Sequence, residues 1–293
     1  MSRLRVSSDD LRRVFEAEVG GRLSAGQWVR WLDAASVLRG QSFRNVVLIR
    51  LQMPEATWVD GREPWQERGR MVARGEAGIR VLTPMEKAAG GRGASRRHDV
   101  ATVWDISQTD GRDVVLPPAV SAVEVMYALA KVAGELGYGV RWGESADGIV
   151  SRVDRRRRQI VLSPGLDPRG AAGRIAHELA HLRMHKLPSG SGCCGLVELE
   201  ADSVAYAVLA RYGCVVDRST SERLAAVASV VGSRPPARLI DAIGGRVVTA
   251  AGRLAGAAER HMESKAVPMR VRSTRVETDV QERSAEQDLG LSL

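Results

Sequence analysis

Hydrophobic positions recur at helical spacing in three stretches at the start of the chain, which predicts three amphipathic helices. The first stretch follows Ser8-Asp9-Asp10, residues typical of a helix N-terminus, the second covers residues 27–38, and the third ends before Pro54. Their apolar positions are Leu11, Val14, Phe15 and Val19, then Trp28, Trp31 and Leu32, then Phe43, Val46, Val47 and Leu51.

From residue 56 the pattern changes to short alternating runs that predict strands. These runs cover residues 56–59, 79–83 and 100–107, with turns at Asp60-Gly61 and at residues 75–78. Residues 86–98 are rich in Gly, Ala, Arg and Lys and predict an exposed loop. The first half is therefore expected to be α+β.

The second half begins after Pro117-Pro118 with an amphipathic helix over residues 120–136. Apolar runs at 147–153 and 159–163 flank a charged turn and predict a β-hairpin, and helical patterns follow at 219–231 and 236–262. From residue 263 the chain is charged and without periodicity, which predicts a disordered tail. We expect an α+β protein with domains at 8–115 and 119–262 and a tail at 263–293.

The predicted hairpin leads into a helical segment that contains His177-Glu178-Leu179-Ala180-His181, an H-E-x-x-H pattern. Residues four apart lie on one face of a helix, so His177 and His181 can offer two imidazoles to one ion. Asp167 and Pro168 suit the N-cap and first position of this helix. The alternative is a helix that carries two surface or core histidines.

A third ligand is expected from a second acidic helix that opens with residues 198–202. Glu198 and Asp202 are four apart and share a face with the small residue Ala201 beside them, which indicates an inward orientation. Glu198 is the predicted third ligand, and Asp202 is predicted to accept a hydrogen bond from a ligating histidine. Glu200 is the second choice. An acidic helix N-terminus without any metal is the alternative, since the macrodipole favours it.

This set of residues predicts a zinc site, because zinc takes imidazole nitrogens and carboxylate oxygens and a catalytic site keeps one position for water. Glu178 would take a proton from the water and pass it to a leaving amine, which is the chemistry of peptide hydrolysis. His185 lies four residues further along the face and is expected to support a ligand or to be packed. A fourth protein ligand would make the zinc structural. Manganese, cobalt or nickel could occupy the same ligands.

Composition limits the class of protein. The chain has 293 residues, 44% of them hydrophobic, and no apolar run approaches the roughly 20 residues of a membrane helix. The N-terminus lacks an apolar signal core, so a cytoplasmic protein is expected. Adjacent Cys193 and Cys194 and the separate Cys214 form no disulfide framework, although the adjacent pair could itself bind zinc.

The net charge is +8, and five of the six tryptophans precede residue 105. Several short blocks in this part stand in the order of one known domain, and this region resembles the N-terminal single-stranded-DNA-binding domain of the ArdC anti-restriction family. The blocks are residues 42–45, 52–57, 65–70, 75–79 and 105–109. The resemblance covers roughly residues 8–115 and implies an α+β domain that binds single-stranded DNA.

The residue types agree with such a role. Tryptophan faces can stack on any base, and arginines can follow the phosphates, so Trp65 is a predicted DNA contact. The alternative is that Trp28, Trp31, Trp58 and Trp65 are core residues. The predicted arginine contacts are Arg44, Arg68, Arg70, Arg74 and Arg80.

The second half resembles the metallopeptidase-like domain that accompanies ArdC-type N-termini and, more distantly, the ImmA/IrrE family. In those families a downstream Glu completes the metal site, and Glu198 is the best match. The resemblance implies a zinc endopeptidase that is localised by DNA and acts on an unknown protein. It also implies a role on mobile DNA. The alternatives are a non-enzymatic anti-restriction protein that binds single-stranded DNA and holds a structural zinc, and a regulatory protease that acts on a repressor.

Overall fold

The structure is a computed structural model that describes residues 6–21, 23–84, 98–116, 120–143, 150–185, 195–214, 222, 224, 226–262 and 267–268. Its first three helices are α1 (Ser8–Val19), α2 (Ala25–Val37) and α3 (Phe43–Gln52). Each follows a serine whose hydroxyl accepts from a backbone N–H in the first turn, and these serines are Ser7, Ser24 and Ser42. The three predicted helices are present, and the first cap is Ser7, one residue before the predicted acidic start.

Small antiparallel sheets follow. The elements are β1 (Val59–Asp60), α4 (Arg62–Glu67), β2 (Arg70–Val72), β3 (Ile79–Pro84), β4 (His98–Asp105), a 3-10 turn (Ile106–Gln108), β5 (Thr109–Gly111) and β6 (Val115–Leu116). β4 lies between β1 and β3, and β2 pairs with β5. The predicted exposed loop at residues 86–98 lies outside the described residues apart from His98.

The second half contains α5 (Ala122–Glu135), β7 (Gly139–Trp142), β8 (Ser151–Asp154), β9 (Gln159–Leu162), α6 (Pro168–Met184), α7 (Leu196–Arg211), α8 (Val227–Val231) and α9 (Ala237–Glu259). The predicted hairpin is the antiparallel pair β8–β9, and β7 adds a parallel strand to β9 that the sequence did not predict. The last strand, β10 (Val267–Pro268), pairs with β6. The rest of the predicted tail, residues 263–266 and 269–293, lies outside the described residues.

One hydrophobic core connects both halves of the chain. It contains Trp28 and Phe43 from α2 and α3 together with Leu129, Ile175 and Val208 from α5, α6 and α7. A second cluster joins the other side of α2 and α3 to β1, β3 and β4. The predicted α+β class is confirmed. The division into separate domains stays a prediction, since helices from both sides of residues 115–119 share this core.

No helix in the part of the chain that the structure describes is long and apolar enough to cross a membrane.

Candidate metal centre

Helix α6 carries both histidines of the H-E-x-x-H pattern toward the protein interior. Asp167 accepts from Gly170 N–H at 2.8 Å and caps the helix, and Pro168 occupies its first turn, as predicted. Most residues of this helix between Ala171 and His181 are buried, and α5 and α7 pack against it. His177, Glu178 and His181 are at most 6% exposed. The helix ends at Met184.

The structure brings His177, His181 and Glu198 together, and one ligand atom from each lies within 4.8 Å of the others. The two Nε2 atoms of His177 and His181 are 2.9 Å apart. The carboxylate oxygens of Glu198 lie 3.1 Å from His181 Nε2 and 3.6 Å from His177 Nε2. Tetrahedral coordination at about 2.0–2.2 Å separates ligand atoms by about 3.3–3.6 Å. The two nitrogens are closer together than this range, so the three side chains converge on one point and would separate slightly around a tetrahedral ion.

The hydrogen bonds behind the histidines assign their protons. His177 Nδ1 lies 2.8 Å from Asp202 Oδ1, and a carboxylate only accepts, so the neutral His177 carries its proton on Nδ1. Asp202 therefore lies where the sequence predicted it. The interaction orients the ring and leaves the Nε2 lone pair for a ligand role.

His181 is oriented by a longer chain of contacts. His185 Nε2 lies 3.0 Å from Glu200 Oε2, which places the proton of a neutral His185 on Nε2. His185 Nδ1 then accepts a hydrogen bond from His181 Nδ1, which lies 3.0 Å away. The proton of a neutral His181 is therefore on Nδ1, and its Nε2 carries a lone pair. With these tautomers, two lone pairs and a carboxylate converge, and this arrangement suits a bound cation.

The acidic residues of α7 lie on different faces of the helix and have different partners. Glu198 faces the Nε2 atoms of both histidines. Glu200, the second choice for the third ligand, instead contacts His185 and accepts from Arg246 Nε at 2.8 Å. Burial raises the pKa of Glu200, but the hydrogen bonds with His185 and Arg246 lower it below the usual value overall.

Glu178 lies on α6 beside His177 and is held by the adjacent sheet. Ser151 Oγ on β8 donates to Glu178 Oε1 at 2.7 Å. Within the described residues β8 pairs on one side only, with β9, so its other edge is open beside the centre. The carboxylate is therefore fixed through one oxygen, while the other is available for a proton transfer.

Two predicted DNA contacts lie inside the fold. Trp65 is fully buried and its indole N–H donates to Trp104 O at 2.9 Å, so its ring faces are covered by protein. Arg70 is 3% exposed and its guanidinium donates to Thr109 and to Arg112 O. The assignment of Trp65 and Arg70 to DNA contacts is corrected on this ground, because neither can reach a strand outside.

The other four predicted arginines lie at the surface or near it. Arg44 is half-buried and forms an ion pair with Asp241, and Arg68 forms one with Asp60 at 3.0 Å. Arg80 donates to Thr102 at 2.6 Å, and Arg74 is exposed in the turn between β2 and β3. Their contact with DNA stays a prediction.

Sequence reasoning missed Ser151 and Arg246. Ser151 precedes Glu178 by 27 residues, and Arg246 follows Glu200 by 46, so no local spacing relates them to the H-E-x-x-H pattern. The predicted loop cysteines, Cys193 and Cys194, lie outside the described residues. Cys214 is buried with a free thiol.

The fold is similar to crystal structures of the antirestriction ArdC protein from the R388 plasmid. The Mn(II)-bound structure is 17% identical with a TM-score of 0.47, over 79% of this chain and 90% of that one. The metal-free structure is 18% identical with a TM-score of 0.43, over 76% and 87%. No protein-family model matches the chain, and no curated protein matches it. The two crystal structures belong to the family that the sequence resembles.

Proposed function

We propose that this protein is a zinc-dependent peptidase whose metal ion is held by His177, His181 and Glu198. The observation that carries the proposal is the convergence of two Nε2 lone pairs and one carboxylate next to Glu178. Two imidazoles and a carboxylate oxygen suit zinc. When bound, the ion would supply a water of lowered pKa and polarise the scissile carbonyl.

Among the residues that the structure describes, no fourth protein ligand joins the three, as expected for a catalytic centre with an open position. Both ring nitrogens of His185 are engaged, one with His181 and one with Glu200, so His185 is not a fourth ligand. Glu178 is the general base, because a site with only a structural role needs no carboxylate at that place. Ser151 positions this carboxylate by holding Oε1.

The substrate class follows from the strand beside the centre. The open edge of β8 can pair with an extended polypeptide through backbone hydrogen bonds, which would lay a peptide bond next to Glu178. The substrate is accordingly an extended or unfolded protein segment. Glu178 takes the proton of the attacking water and returns it to the leaving amine.

The protein also binds single-stranded DNA in this proposal, and the peptidase acts on a protein near an entering strand. This part rests on the sequence resemblance to the ArdC family and on the net charge of +8. Exposed Arg68, Arg74 and Arg80 remain candidate phosphate contacts.

The test compares wild-type protein with His177→Ala and Glu178→Gln. Metal content, single-stranded DNA binding and cleavage of dye-labelled unfolded casein are measured on the same preparations. We expect near-stoichiometric zinc in wild type and Glu178→Gln, none in His177→Ala, and cleavage in wild type only. If Glu178→Gln cleaves as fast as wild type, the peptidase mechanism is wrong. Loss of both metal and DNA binding in His177→Ala would favour the non-enzymatic protein with a structural zinc.

A further inference from the structure

A groove of about 1300 Å³ lies between α1, α3, the end of α6 and α9. Two carboxylates, Glu16 and Asp241, line it together with six arginines, and no lysine contributes to its described walls. The six are Arg12, Arg44, Arg183, Arg238, Arg246 and Arg253. We call this the arginine groove.

The arginines of α9 follow one side of the helix. Arg238 and Arg246 are eight residues apart and Arg253 follows seven later, which spaces them by about 12 and 10 Å along the axis. A smaller cavity of about 350 Å³ shares Ser42, Thr249 and Arg253 with the groove. Arg39 and Arg211 line that cavity, and both form ion pairs with Glu259.

Part of this charge is not neutralised within the protein. Arg183, Arg238 and Arg253 are exposed and form no ion pair within the described part of the chain. In the smaller cavity, burial and the nearby charge of Arg211 lower the pKa of Arg39, as expected where cations are crowded. Repeated guanidinium groups along a channel match a ligand with repeated phosphates, because each fork can bind two phosphate oxygens.

The groove is connected to the candidate metal centre through Arg246. This side chain is 49% exposed, lines the groove, and forms an ion pair with Glu200, whose side chain is 5% exposed. Glu200 contacts His185, and His185 contacts His181. Arg246 is therefore three hydrogen bonds from His181, a ligand of the proposed metal ion.

We propose that the arginine groove binds a phosphodiester strand and that its occupancy is transmitted to the metal centre through Arg246. The proposed transmission rests on the metal centre proposed above. A phosphate that draws Arg246 away leaves Glu200 with His185 as its partner. The stronger Glu200–His185 hydrogen bond makes His185 Nδ1 a better acceptor for His181, and His181 Nε2 becomes more basic. Strand binding should thus slow the release of the metal.

Binding is tested with a fluorescein-labelled oligothymidylate of 20 nucleotides on metal-free protein, by anisotropy over a range of salt concentrations. The triple variant Arg183→Gln/Arg238→Gln/Arg253→Gln should bind at least about tenfold more weakly, and the slope of log K against log salt should fall by about 2. The matched control is Arg30→Gln/Arg152→Gln/Arg156→Gln, which removes three exposed arginines elsewhere and should bind nearly as wild type.

Two results would overturn the groove as a phosphodiester site. One is unchanged affinity in the groove variant. The other is equally tight binding by polyglutamate of the same charge, which would assign the groove to an acidic polypeptide instead.

Transmission is tested by the rate at which a chelator removes zinc, with and without the oligonucleotide. In wild type the oligonucleotide should slow release at least about threefold. Arg246→Gln should release zinc slowly in both conditions, while it still binds the strand through the remaining arginines. An equal rate in wild type with and without the strand contradicts the link, and so does an undiminished response in Arg246→Gln.

Failure of the groove and failure of the peptidase are distinguishable. Oligonucleotide binding is measured without metal, so a failed groove leaves the peptidase proposal intact. A protein that binds no metal refutes the peptidase and the link together, whereas strand binding in the groove would stand.

Discussion

Asp202 Oδ1 lies 2.8 Å from His177 Nδ1, although the two residues belong to different helices and are 25 positions apart. Glu198, four residues before Asp202 on the same face of α7, reaches the Nε2 side of the same imidazole. The i, i+4 spacing on one helix therefore supplies both a candidate ligand and the group that orients another candidate ligand.

Asp202→Asn should weaken zinc binding by about tenfold, because the amide is a poorer acceptor for the His177 proton and leaves the ring less firmly oriented. The measurement is a competition titration with a zinc indicator. Asp241→Asn, which removes a carboxylate paired with Arg44 and not with the histidines, serves as the control and should leave zinc affinity unchanged. Equal affinities in Asp202→Asn and wild type would show that Asp202 does not support the ligand.

Ser151→Ala should lower kcat by about tenfold and leave zinc content unchanged, because the charged carboxylate of Glu178 loses the hydrogen bond that Ser151 donates. A hydrogen bond to a charged group contributes about 1.5–3 kcal/mol. The measurement is cleavage of dye-labelled casein together with metal analysis. Ser163→Ala, just after β9, is the matched control. A fall in zinc content of Ser151→Ala would instead indicate that the serine supports the structure of the site.

Trp28→Ala should lower the free energy of unfolding by about 3–5 kcal/mol. Trp28 is fully buried, and its indole N–H donates to Ser203 Oγ at 3.0 Å, next to Asp202 on α7. Urea unfolding of metal-free protein should show one transition, since both halves share a core. Tyr127→Ala, at a residue 63% exposed, should change stability by less than about 0.5 kcal/mol.

Two separate unfolding transitions, of which Trp28→Ala shifts only the first, would contradict the shared core and favour the two independent domains predicted from the sequence.

Arg70→Ala should lower the free energy of unfolding by about 2–3 kcal/mol, because the buried carbonyl of Thr109 and the carbonyl of Arg112 lose their donor. Arg74→Ala should leave stability unchanged and, if Arg74 contacts phosphate, reduce the salt slope of oligonucleotide binding by about 1. Thermal unfolding measures the stability of both variants, and anisotropy titrations measure the salt dependence of their oligonucleotide binding. A stable Arg70→Ala variant with a reduced salt slope would instead make Arg70 a phosphate contact.

Local patterns predicted the helices and the candidate ligands, because the place of each residue within its own helix depends on short-range geometry. The turn of a helix sets the spacing of His177 and His181 and of Glu198 and Asp202, and Asp167 and Pro168 indicate where α6 begins. Strand β7 was not predicted, since Gly139–Trp142 is short, carries an arginine, and forms a strand only through its parallel pairing with β9.

By itself, the sequence determined the α+β class and the H-E-x-x-H helix and predicted the candidate ligands, since each helix or strand follows from the periodicity of its own segment. Only the tertiary structure decided that Trp65 and Arg70 are core residues, that Ser151 holds Glu178, and that Arg246 connects the arginine groove to His181. Burial and contacts between distant segments depend on how helices and strands pack, and packing brings together side chains whose separation along the chain carries no local pattern.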